Sequence, residues 1–165
     1  MNEIHTGFSI DTSLGTPRSI YSAAGHFETA ALRLVEGLTS EPGLILPWGV
    51  MSAFSVELYL KSLILIEKGD PGKIHDLWEL FQKLHSDTRS DLSDAYDTKI
   101  RNCDIGHFRI SKGHYIDLEN DLKMSAKAFA EMRYFSQGKT SETKFSVGLL
   151  GLVIRNHVHA LHPEW

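Results

Sequence analysis

Apolar positions recur every three or four residues along most of this chain, and that period predicts helices. Between Arg18 and Leu38 the set Ile20, Ala23, Ala24, Phe27, Ala31, Leu34, Val35 and Leu38 marks one face of a first amphipathic helix, and the loop TSEPG at residues 39–43 breaks it. From Pro47 to Lys68 a second helix is apolar around most of its circumference, through Met51, Phe54, Leu58, Leu60, Leu63, Ile64 and Leu65. A helix of that kind belongs at the centre of a bundle. Glu57 and Lys61 inside it, with Pro47 and Gly49 near its start, argue against a membrane span.

The turn GDPGK at residues 69–73 combines glycines free to take positive φ with a proline that fixes its own. A third helix follows over residues 75–87, with Leu77, Leu80, Phe81 and Leu84 in one stripe and Asp76 near its positive N-terminal end. Leu92, Tyr96 and Ile100, at steps of four, predict a fourth helix between Asp87 and Asn102. Residues 103–117 contain Gly106 and Gly113 without a sustained period and read as a surface loop. A fifth helix is expected from Leu118 to about Phe135, its inner face Leu118, Leu122, Ala126, Phe129 and Met132 or Arg133. The last runs from about Ser141 to Leu161, with Phe145, Leu149, Leu152, Val153, Asn156 and Ala160 along one side, until Pro163 stops it. No repeat and no alternating stretch competes with this reading. The expectation is an all-α helical bundle of about five to six helices, a single domain over residues 18–165 behind an irregular lead-in over 1–17.

Composition narrows the function classes. With 42% hydrophobic residues in 165, the chain can close one core without staples. Its 17 Lys and Arg against 21 Asp and Glu leave a net charge of −4, so nothing attracts polyanions in general and any nucleic-acid site must be a local patch. The single Cys103 excludes an intrachain disulfide and an unaided thiolate metal site, which fits a reducing compartment. The N-terminus lacks the basic start and apolar stretch of a secretory signal, so the expected address is the cytoplasm, with no membrane partner.

Three strings then occur in a telling order: FSVELYLKSLILIEKG at residues 54–69, His75-Asp76-Leu77 at a helix start, and FAEMRY at residues 129–134. In this order they resemble the HEPN group of small helical-bundle proteins, with Ile74 standing where many members have glycine before the histidine. The resemblance implies a bundle of four or more helices that commonly dimerises. In active members it implies a metal-independent endoribonuclease, of toxin or phage-defence type, whose signature is an Arg, four to six residues and a His, often with a polar residue directly after the Arg. Two stretches fit that pattern: Arg101 to His107 and Arg155 to His162, followed directly by Asn102 and Asn156 respectively. Cleavage by the ribose 2′-hydroxyl needs a group that titrates near neutrality and a fixed cation on the phosphate, which His and Arg supply. On that reading His107 or His162 moves protons, Arg101 or Arg155 grips the phosphate, and Asn102 or Asn156 orients one of them.

With nine His and 17 Lys plus Arg in the chain, an Arg followed by a His at this distance arises readily by coincidence. The leading reading is therefore an accessory or interaction domain that self-associates as a homodimer and binds RNA or a cognate protein. The ribonuclease is the alternative. No cofactor and no metal are expected: His157, His159 and His162 cluster at a helix end that favours imidazolium, and no carboxylate is spaced to join them before Pro163. Glu57 and Lys61, one turn apart, predict an intrahelical pair. Asp76 is expected to support a helix start while His75 bonds to a neighbouring helix, and Arg133 to link its helix to another.

Overall fold

In the computed structural model, which describes residues 15–113, 117–126 and 148–165, regular structure begins at a capping threonine. The Thr16 hydroxyl accepts the Ser19 amide at 3.1 Å and Pro17 takes a first-turn position, opening helix α1, Pro17–Gly37. A 3-10 turn, Pro42–Leu44, leads into α2, Ile45–Lys68. Gly69, at φ 78°, ends α2 by donating its N–H to the Leu65 carbonyl. Asp76 caps α3, Leu77–Lys83, accepting the Glu79 amide at 3.0 Å. Then come α4, Ser86–Arg101, α5, Asp104–Ser111, α6, Leu118–Ser125, and α7, Gly148–Leu161. The described residues hold seven α-helices and no strand, an all-α bundle.

Helix α2 is the hub. α1 packs along it, α3 and α7 lean on it, and α4 ties α7 to α5 and α6. Tyr59, Leu60, Leu63 and Ile64 of α2 are buried among Leu77, Leu80, Leu92, Tyr96, Leu122, Leu150 and Ile154. Each buried aliphatic side chain of this set contributes about 1.5–3 kcal/mol relative to exposure. The stretch Pro42–Lys68 has the length and hydropathy of a membrane span, but 61% of its most apolar window is buried inside the bundle. That is the situation of a central core helix.

Three expectations change. Residues 104–111, read as loop, form α5. Asp104 in its first turn and Arg109 in its last suit the helix dipole, and Gly106 lets it close against the end of α4. The third helix stops at Lys83, and a separate one starts at Ser86, because Glu67 of α2 reaches over to the junction. Its carboxylate takes the His85 amide at 2.7 Å and the Thr88 hydroxyl at 2.5 Å. In α7 the buried side is Leu150, Gly151, Val153, Ile154 and Val158, so Asn156 and Ala160, expected inside, are exposed. Residues 149–154 are apolar all round and offer no phase of their own, so packing against α2 and α4 sets which side turns inward. Of the expected lead-in over residues 1–17, Pro17 already belongs to α1 and residues 1–14 lie outside the described residues, as do the inward-facing Phe129, Met132 or Arg133 and Phe145 and the whole FAEMRY string.

Candidate functional site

The two Arg and His pairs have different surroundings. Arg101 is the last residue of α4 and Asn102 its C-cap, both exposed, with the Asn102 side-chain amide donating to the Thr98 carbonyl at 2.7 Å. His107 lies exposed on α5, its backbone N–H on the Cys103 carbonyl. Among the described residues no hydrogen bond or ion pair joins Arg101 to His107. The charge of Arg101 does act on Asp97, whose carboxyl is pushed up by burial and drawn back partly by the Leu118 amide and Arg101.

Arg155 sits in a built environment. Its Nη1 donates to Oε2 of Glu28 at 2.7 Å, and the Tyr59 hydroxyl donates to the same oxygen at 2.9 Å, so one carboxylate joins α1, α2 and α7. The other oxygen, Oε1, lies beside Gly151, and Glu28 borders a half-open cavity of about 60 Å³ together with Trp48, Ser52 and Gly148. His162 follows Arg155 on the same side, about 10 Å further along the axis, with its N–H on the Val158 carbonyl at 2.9 Å. The His162 ring lies flat on Trp165, centroids 4.1 Å apart at 10°, with Nδ1 3.2 Å from Oε1 of Glu164. Trp165 tilts against Tyr21 at 5.8 Å, and Tyr21 against Tyr59 at 5.5 Å. A continuous chain of contacts therefore runs from Arg155 through Glu28, Tyr59, Tyr21 and Trp165 to His162. Asn156 points away from it into solvent.

Burial, reinforced by the Glu28 charge, pushes the Tyr59 hydroxyl far above its ordinary range, so it stays a donor. Tyr21 is raised too, first by burial, with Arg155 pulling it down and Glu28 up. Glu164 is held below the usual carboxylate range by its own backbone N–H and by His162. Glu28, Tyr21, Tyr59 and Trp165 were not singled out from the sequence. A signal existed for Glu28, which falls in phase with the apolar stripe between Ala24 and Ala31, where a charge needs a partner.

Two further polar knots hold the bundle. Oε1 of Glu57, a residue 1% exposed, accepts Lys61 Nζ at 2.8 Å and His75 Nδ1 at 2.9 Å. The expected Glu57–Lys61 pair thus gains His75, while the neighbouring Asp76 caps α3. Asp121, wholly buried in α6, accepts both arms of Arg109 at 2.7 and 2.6 Å and the Tyr96 hydroxyl. Cys103 is half-buried with its thiol on the Ile100 carbonyl at 3.3 Å. His157 is half-buried and His159 exposed, and among the described residues no group of three His, Cys, Asp or Glu is placed to share a metal.

Chemically, the α7 face offers one guanidinium, one imidazole and two half-buried aromatic rings on a single surface. Comparison with models of known families, with curated proteins and with solved structures found no match to this chain.

Proposed function

We propose that this chain is a HEPN-like accessory module that binds RNA through the α7 face carrying Arg155 and His162. The observation that supports it is the state of those two groups. The guanidinium is held by Glu28, and the imidazole lies against Trp165 and beside Glu164. A cation already paired with a carboxylate is poorly arranged to stabilise charge developing in a cleavage transition state. The same surface suits binding, because the half-buried rings of Tyr21, Trp165 and His162 lie in one chain of contacts with the guanidinium, and aromatic side chains beside a cation are what single-stranded nucleic acid binds to. Leu32, Val35 and Ile45, left exposed where α1 meets α2, support self-association.

A second reading, a metal-independent endoribonuclease, is favoured by one observation: Arg155 on α7 and His162, one residue past its end, belong to one chain of contacts. Incubating the protein with end-labelled RNA in excess chelator separates the two. The expected result is a shifted complex containing intact RNA, weakened by Arg155→Ala and by His162→Ala and unchanged by His107→Ala. Cleavage that disappears in His162→Ala would replace the accessory module with the nuclease. RNA neither bound nor cut removes both readings.

A further inference from the structure

Resting on that RNA-binding reading, we infer that Glu28 is an internal stand-in for phosphate, a latch that holds Arg155 closed until an RNA phosphodiester displaces it. Carboxylate and phosphate present similar oxygens to a guanidinium fork, so each competes for the donors the other would use.

The contact is one-sided. Arg155 reaches Oε2 of Glu28 through Nη1 at 2.7 Å, while its side chain is 38% exposed and that of Glu28 only 15%. The arginine therefore has a solvent side from which a phosphate can approach, and the carboxylate has an inner side. Glu28 is held there without Arg155, because the Tyr59 hydroxyl donates to Oε2 at 2.9 Å. It also has somewhere to go. Oε1 borders the cavity of about 60 Å³ between α1, α2 and α7, whose walls include Ser52 and Gly151. That cavity gives the carboxylate room to turn inward, keep Tyr59 as its donor and release the guanidinium outward. The closed state neutralises Arg155 in a chain of net charge −4, so affinity for RNA is set by this exchange.

The test uses the full chain and a 5′-labelled single-stranded oligoribonucleotide, read by fluorescence anisotropy at low salt. Glu28→Gln keeps the shape and removes the competing charge, and is expected to tighten binding by roughly 1.5-fold to fivefold, the fold-change that a partly exposed ion pair is worth. Glu28→Asp, which withdraws a charged group by one methylene and preserves the fold, is expected to shift binding the same way by less. Adding Arg155→Gln to Glu28→Gln should abolish the gain. If Arg155→Gln weakens the parent while both Glu28 variants bind equally or more weakly, Glu28 positions the arginine, and the latch is overturned with the RNA reading standing. If Arg155→Gln changes nothing in the parent, or no variant binds, the RNA reading of this face fails and the latch with it.

Discussion

The Nδ1 atom of His75 lies 2.9 Å from Oε1 of Glu57, tying a ring 54% exposed before α3 to a carboxylate 1% exposed in α2. Lys61 reaches the same oxygen, and Oε2 of Glu57 is buried with no hydrogen-bond partner among the described residues. The string at residues 54–69 and His75-Asp76-Leu77 thus meet in one ion-paired knot.

That knot makes Lys61 costly to remove. Lys61→Met leaves the buried Glu57 carboxylate with only the half-exposed His75 among the described residues, and is expected to lower the free energy of unfolding in urea by about 2–4 kcal/mol. The double variant Glu57→Gln with Lys61→Met should lose less than the sum of the two single changes, because the unpaired charge is gone. Simple additivity would mean that the pair carries no coupling.

Gly106 is expected to tolerate nothing larger. A Cβ built there falls inside the van der Waals envelope of the Ile100 carbonyl oxygen at the α4 to α5 junction, and the obstacle is backbone that cannot swing aside. Gly106→Ala should cost more than about 3 kcal/mol in chemical denaturation, or prevent soluble expression. A variant with unchanged stability would show that α5 does not close on α4 in this way.

Tyr59 sets an alkaline limit. Its folded pKa is raised above the ordinary 10.0, chiefly by burial and then by Glu28. The folded chain therefore keeps a proton that the unfolded chain has lost, so this contribution is fully present below pH 10 and declines as pH rises beyond it. Thermal melts from about pH 9 to about pH 11 should fall more steeply for the parent than for Tyr59→Phe, which has nothing to titrate there. Parallel curves would place the hydroxyl outside the core.

Where one side of a helix is clearly polar, the inward face could be read directly. Leu77, Leu80, Phe81 and Leu84, and Leu92, Tyr96 and Ile100, are all buried as their spacing predicts. The same rule misplaced Asn156 and Ala160, because residues 149–154 are apolar on every side and offer no phase of their own. It missed α5 for the opposite reason. That short helix has almost no apolar period, and the double hydrogen bond from Arg109 to Asp121, twelve residues on, ties it to α6.

The chemical site divides in the same way. The Arg-to-His spacing taken from the resemblance picks out two pairs, Arg101 with His107 and Arg155 with His162, and does not choose between them. That Arg155 spends its charge on Glu28, 127 residues away, depends on how α1, α2 and α7 pack together. Helical periodicity is a property of neighbours along the chain, readable from the sequence by itself. The partner of a charge is chosen by long-range packing, so the tertiary structure alone decides that the guanidinium of Arg155 meets the carboxylate of Glu28.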